Sequence, residues 1–133
     1  MKRRELREHI FEILFRVEFV EEKDMDEQMD LFFEDLTEAK ESDVEYMKNK
    51  YLAVREKMAM IDILIDEKST GWKTNRMGKV ELTILRLAVY EMLFDEDVPV
   101  TVAINEAVEI SKKYGGDDTP AFVNGILAKV AAV

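Results

Sequence analysis

The 133-residue sequence predicts an all-α protein of about seven helices in two packed helical subdomains. Two observations lead to this fold class. Apolar residues recur at steps of three and four along most of the chain, which is the spacing of amphipathic helices. No segment shows the alternation of a convincing strand. Hydrophobic residues make up 47% of the chain and charged residues 36%, which is typical of a folded, soluble helical protein of one compact domain.

The N-terminal half predicts three helices. The first covers residues 5–20, where apolar side chains follow helical spacing. The second should begin after Asp24, since Asp24 and Glu27 have the spacing of a capping box. The third carries the clearest amphipathic pattern in the chain and follows "SDVE", in which Ser42 and Glu45 repeat the capping-box spacing.

A break at "STGWKTNRMG", with room for a short helix over residues 72–77, opens the C-terminal half. It predicts a division into subdomains of approximately 1–70 and 71–133, within one domain of residues 1–133. The next segment, "KVELTILRLAVYEMLF", is apolar on nearly every face and should be a buried central helix.

Two further helices complete the prediction. Pro99 fixes the entry to a helix that should end near Tyr114, with Gly115 as its C-cap. The last helix should start at Thr119, a good N-cap, with Pro120 at the first helical position and the chain end as its limit. Capping alone therefore accounts for the crowded stretch "YGGDDTPAFVNG".

Composition argues against an enzyme and against a metal or cofactor site. The chain has no cysteine and one histidine, His9, so it has neither a thiolate site nor the parts of a catalytic triad. It also lacks a glycine-rich nucleotide motif, and "GGDDTP" lacks the spacing of a calcium loop. The absence of cysteine, of a signal peptide and of an apolar span of about 20 residues predicts a cytoplasmic protein.

The net charge of −10 is concentrated in residues 21–45, where 12 acidic and 2 basic residues also sum to −10. A basic cluster at residues 2–7 has four basic side chains and one acidic. Its simplest interpretation is solvated charge at a helix start. The alternative is a phosphate-binding arm, because Phe11 and Phe15 continue the arginine face at four-residue steps and could stack on RNA bases, although both phenylalanines could equally be core residues.

The segment from Trp72 to Leu127 resembles the NusB family of bacterial transcription antitermination factors. The similarity lies in a tryptophan and an arginine before "ILRLAVYE", followed in order by "VP", "VAINEAVE" and "FVNGIL". The N-terminal half is similar mainly in its helical layout and in its arginine-bearing start.

The resemblance implies a heterodimer with the ribosomal small-subunit protein NusE. It also implies binding of single-stranded boxA RNA of nascent ribosomal transcripts, and action within the antitermination complex of RNA polymerase. Glu81 and Glu91 would offer carboxylates to NusE. The implied RNA-binding residues are Lys2, Arg3, Arg4, Arg7, Phe15, Asp118 and Phe122.

Two alternatives remain open at the level of sequence. One is a helical interaction module or homodimer without RNA affinity. The other is the helical domain that precedes ribosomal RNA methyltransferases, but this chain has no glycine-rich cofactor motif and cannot be such an enzyme by itself. Phe15 stands where the family often has a tyrosine, so a hydroxyl contact would be lost.

Overall fold

The computed structural model describes residues 1–132, and this part of the chain is helical, without strands. The all-α prediction of about seven helices is confirmed: six α-helices are joined by two 3₁₀ turns, Glu22–Asp24 and Thr74–Arg76. The α-helices are α1 (Arg3–Arg16), α2 (Met25–Asp35), α3 (Glu41–Lys68), α4 (Lys79–Phe94), α5 (Val100–Tyr114) and α6 (Thr119–Ala131). No helix among these residues is both long enough and apolar enough to cross a membrane.

The chain packs into two compact units, and the boundary between them falls inside α3. The first unit is Met1–Ala53 and the second begins at Val54. The division expected near residue 71 remains a prediction.

In the first unit, α1 is shifted toward the N-terminus relative to the predicted range of 5–20. The backbone N–H groups of Val17 and Phe19 donate to carbonyls three residues earlier, at 3.1 and 3.0 Å. Such bonds tighten the end of a helix into a 3₁₀-like turn and stop its propagation. The first helix therefore ends at Arg16 and begins at Arg3.

The start of α3 lies two residues earlier than "SDVE" suggests. Asp43, at the third helical position, accepts a hydrogen bond from the backbone N–H of Lys40 at 3.1 Å, which is the reciprocal half of a capping box. This bond holds the pKa of Asp43 below its ordinary value, and the amino group of Met1, 3.3 Å away, acts in the same direction. The prediction that Ser42 begins this helix is wrong, because Ser42 lies inside it. At α2 the N-cap is Asp24 as predicted, although its side chain makes no capping bond.

In the second unit, α4, α5 and α6 pack against one another. The central position predicted for α4 is confirmed by burial on most of its faces, with Ile84, Leu85 and Val89 at most 1% exposed. Arg86 connects α4 to the C-terminal part of α3 by a bidentate ion pair with Asp62, at 2.9 and 2.8 Å. Two parallel hydrogen bonds between a guanidinium and a carboxylate fix the relative orientation of the two side chains and are stronger than a single neutral bond. The pair therefore fixes α4 against the C-terminal part of α3.

Candidate nucleic-acid interface

The loop between α5 and α6, residues 115–118, is built around a close approach. Gly115 ends α5 as predicted, and its N–H donates to the carbonyl of Ser111 at 2.9 Å. A Cβ atom on Gly115 would lie 2.6 Å from the Cβ, Cγ2 and Oγ1 atoms of Thr119, closer than real side chains come. Glycine is therefore required here for space. The backbone of Gly115 is extended, at φ −98° and ψ −176°, so no left-handed conformation is involved.

Thr119 is not the N-cap of α6 that its sequence position suggests, and its hydroxyl instead joins the loop to α4. The N-cap of α6 is Asp118, and Thr119 and Pro120 are the first two helical residues. The Thr119 hydroxyl accepts a hydrogen bond from the backbone N–H of Gly116 at 3.0 Å and donates one to Glu81 Oε1 at 3.0 Å. This buried hydroxyl, in a residue 4% exposed, therefore ties the loop to α4. The prediction of Thr119 as N-cap was one residue out.

An open cleft of about 260 Å³ lies beside this loop, and we call it the first cleft. Its walls come from the segment before α4, from α4 itself and from the start of α6. Three predicted site residues meet here, although the sequence assigned Glu81 to a protein partner and the other two to RNA. The lining residues include Trp72, Arg76, Glu81, Asp118, Thr119 and Phe122.

A second cleft, of about 300 Å³, adjoins the first in the same unit. It lies between the segment after α3 and the outer face of α6. Trp72 and Phe122 line both clefts, so these two rings stand at the division between them. The lining residues of the second cleft include Ser69, Trp72, Phe122, Gly125, Ile126 and Lys129.

Periodicity left the orientation of Phe122 open, and the structure resolves it. The ring is half-buried and borders both clefts, so Phe122 is neither a fully buried core residue nor a freely exposed one. Asp118 is exposed, and its side chain makes no capping hydrogen bond. An aromatic face beside an available carboxylate can stack on a nucleobase and accept a hydrogen bond from its amino group.

Trp72 and Arg76 are among the lining residues of the first cleft that sequence reasoning did not predict as site residues. Trp72 is 55% exposed, and Arg76 is exposed in the 3₁₀ turn before α4. The signal was present, because the tryptophan and arginine before "ILRLAVYE" were part of the family resemblance. Their proximity to Phe122 depends on how the segment before α4 packs beside α6, which no local pattern encodes.

The predicted basic residues lie in the first unit, at the start of α1. Lys2, Arg3 and Arg4 are exposed, and the Arg3 guanidinium lies 4.2 Å from the centroid of the Tyr46 ring. Arg7 is only 8% exposed and is therefore less accessible to a phosphate than the other three.

Phe15 belongs to a line of aromatic rings on α1. It is half-buried, with its centroid 6.0 Å from that of Phe11, in a stacked arrangement, and 5.0 Å from that of Phe19, edge to face. Phe11 is buried and Phe19 is 63% exposed. The line therefore runs from core to solvent, and Phe15 occupies the intermediate place.

Of the two carboxylates expected to meet a protein partner, only Glu81 is accessible. Glu81 is half-buried and contacts the α5–α6 loop through Thr119. Glu91 is 1% exposed, so the described chain does not present it at a surface. Sequence position does not reveal which face of α4 is covered, and the role of Glu91 toward a partner stays a prediction.

The described residues form an all-helical protein with exposed arginines at its start and an aromatic–acidic cleft beside its last helix. Comparison with known proteins is more specific. The model of the NusB family matches residues 4–132, and the chain belongs to the NusB family. The transcription antitermination protein NusB of Agathobacter rectalis is 55% identical over 98% of this chain and 100% of its own length. That of Lachnoclostridium phytofermentans is 52% identical over 98% of each chain.

Solved structures agree with this assignment. NusB of T. maritima superposes with a TM-score of 0.87 at 37% identity, covering 98% of this chain and 91% of that one. A crystal structure of the antitermination factors NusB and NusE in complex with dsRNA contains a chain of the same fold. The TM-score is 0.81 at 24% identity, and the match covers 96% of this chain and 94% of that one. The family resemblance predicted from the sequence is confirmed.

Proposed function

We propose that this protein is a non-enzymatic transcription antitermination factor that binds boxA-type single-stranded RNA together with NusE. The observation that carries the proposal is the 55% identity to a transcription antitermination protein over the whole length of that relative. Its place of action is the cytoplasm, in the antitermination complex of RNA polymerase, because nascent ribosomal transcripts are its target.

The exposed chemistry supports RNA as the ligand. In the second unit, Phe122 and Asp118 offer a stacking face and a hydrogen-bond acceptor at the first cleft. In the first unit, Lys2, Arg3 and Arg4 offer exposed cations for phosphates. Because so few cations contact phosphates, few counterions are released when RNA binds. The RNA affinity of the chain alone is therefore weak and decreases as the salt concentration rises. A basic partner adds the missing positive charge, and Glu81 is the accessible carboxylate of the two proposed to meet it.

The test is an RNA-binding titration with labelled boxA RNA, by fluorescence anisotropy, with and without NusE across a salt series. We expect weak binding by the chain alone and a marked gain in affinity when NusE is added. An RNA with a scrambled boxA sequence is the control. If NusE leaves the affinity unchanged, or if boxA and scrambled RNA bind equally well, the proposal is wrong.

The competing function is a helical interaction module or a homodimer without RNA affinity. Sedimentation of the free chain, run beside the RNA titration, distinguishes it. A stable dimer that does not bind boxA RNA, even with NusE, would favour this alternative.

A further inference from the structure

The second cleft has the features of a binding surface that the chain itself does not use. Trp72 is the only tryptophan of the sequence and is 55% exposed, although tryptophan is normally well buried. Phe122, on the opposite wall, is half-buried. Exposed aromatic rings facing an open cleft are typical of sites that bind flat ligands or anchor partners.

The Trp72 segment is held in place by hydrogen bonds at its backbone. The Trp72 N–H donates to Ser69 Oγ at 3.3 Å, and the Ser69 hydroxyl donates back to the Trp72 carbonyl. Just beyond, Asp66 accepts from the Thr74 N–H at 2.6 Å and from the Thr74 hydroxyl at 3.2 Å. The indole is therefore presented to solvent from an ordered segment, which reduces the ordering entropy that binding must overcome.

Gly125 provides an independent observation on the other wall. It lies in the interior of α6, where glycine costs about 1 kcal/mol relative to alanine. A Cβ atom at this position would meet no atom within 4 Å, so packing inside the described chain does not require glycine. Gly125 also lies on the helix face shared by Phe122 and Lys129, so its bare backbone opens the cleft between them. A glycine that serves no internal packing is expected where a ligand approaches closely.

The charge of the second cleft favours a phosphate-bearing ligand. Lys129 is exposed and is the one charged side chain among the described residues that line it. Within residues 1–132 Lys129 makes no ion pair. By contrast, the first cleft carries the carboxylates of Glu81 and Asp118 as well as Arg76. A cation without neighbouring carboxylates attracts phosphate, and ring faces in the same cleft accept a base.

We propose that the second cleft binds the nucleotide adjacent to the one at the first cleft, with its base against Trp72 and its phosphate at Lys129. This inference rests on the proposed RNA-binding function and extends it. Because Trp72 and Phe122 border both clefts, one strand can place consecutive bases on the two sides of this aromatic division. RNA contact is thereby extended from the loop before α6 along the outer face of that helix.

The test measures boxA RNA affinity by anisotropy, in the presence of NusE, for three variants and matched controls. Trp72→Ala should weaken RNA binding by about 5- to 150-fold, the range for loss of one stacked base. Lys129→Ala should reduce the slope of log affinity against log salt by about 0.7, as for one phosphate on a single strand. Lys112→Ala, at an exposed lysine of α5 outside both clefts, should leave that slope unchanged.

Gly125→Ala separates a binding role from a structural one. Alanine favours the helix and meets no steric obstacle, so the variant should melt roughly 3–5 °C higher than the parent. It should nevertheless bind boxA RNA more weakly, because its methyl group enters the cleft. Asn124→Ala, on an exposed neighbouring position of α6, is the control and should leave the affinity unchanged. Trp72 is also a native reporter, and stacking of a base on it should quench its fluorescence.

The outcomes distinguish this inference from the proposed function. If Phe122→Ala weakens RNA binding while Trp72→Ala and Gly125→Ala bind like the parent, the inference is overturned and the function stands. If Trp72→Ala and Gly125→Ala both lower affinity for NusE in the absence of RNA, the second cleft holds the protein partner, which also overturns the inference. If the parent chain with NusE does not bind boxA RNA, both fail.

Discussion

Replacing Thr119 by valine removes a hydroxyl while keeping the size and β-branched shape of the side chain. Two hydrogen bonds are lost together, the one from the Gly116 N–H and the one to Glu81, each 3.0 Å long. A neutral hydrogen bond contributes about 1 kcal/mol to stability and one to a charged group about 1.5–3 kcal/mol. Water can reach exposed Gly116 and half-buried Glu81 and offsets part of this loss. We therefore expect a destabilisation of about 2 kcal/mol.

For a chain of this length that loss corresponds to a decrease in melting temperature of roughly 6–10 °C, measurable by circular dichroism. Thr83→Val is the matched control, because Thr83 is 1% exposed and its hydroxyl donates only to the Lys79 carbonyl of its own helix, at 2.7 Å. That carbonyl has a helical N–H partner in any case, so the control should lose less than about 1 kcal/mol. Equal destabilisation of the two variants would refute the assignment of Thr119 as the tie between the loop and α4.

Three further predictions concern single side chains. Gly115→Ala should destabilise the fold by about 1–3 kcal/mol in chemical denaturation, because its Cβ would meet Thr119 at 2.6 Å, whereas Gly116→Ala, with open space, should not. Asp43→Asn should lower the free energy of unfolding at neutral pH. Because the pKa of Asp43 is depressed in the folded state, the difference in unfolding free energy between the variant and the parent should shrink as pH falls below 3.8. A constant difference in urea titrations from pH 7 to pH 3 would contradict this. Phe122→Ala should weaken boxA binding by about 1–3 kcal/mol in an RNA titration. It should lower the free energy of unfolding by less than the roughly 3–5 kcal/mol typical of a fully buried phenylalanine, because the ring is half-buried. A large loss of stability with unchanged RNA affinity would make Phe122 a core residue.

Sequence reasoning succeeded where one local signal dominates. α4 was predicted with its observed bounds, because a nearly uninterrupted apolar run lies between Gly78 and an acidic turn. The end of α5 at Tyr114 also followed from Gly115, whose role is confirmed. Errors of one to four residues arose where several residues compete for one role. Asp43, inside the predicted signature, provides the cap of α3 that the sequence assigned to Ser42.

The candidate site was predicted less completely, for a different physical reason. Asp118 and Phe122 could be named because they lie in a conspicuous loop and helix start, and the family resemblance gave them a role. Trp72 belongs to the segment that carries the resemblance, but its sequence position predicted no function, because its place at the clefts depends on packing between segments some fifty residues apart. Glu91 is buried, which its sequence position did not reveal, because burial on one face of α4 is a tertiary property; its contact with a partner stays a prediction.

The acidic segment 21–45 has a consequence for competition among RNAs in the cell. All of its 12 carboxylates except that of Asp43 are exposed, so this region carries a strong negative field. Bulk ribosomal and messenger RNA, which would otherwise occupy any basic surface indiscriminately, is repelled from it. Lowering the ionic strength strengthens this repulsion along with the attraction at the arginines, while ring stacking is almost unaffected. Discrimination between boxA RNA and other RNAs then depends on short-range contacts such as ring stacking. The protein therefore remains available for the rare transcript that can make those contacts.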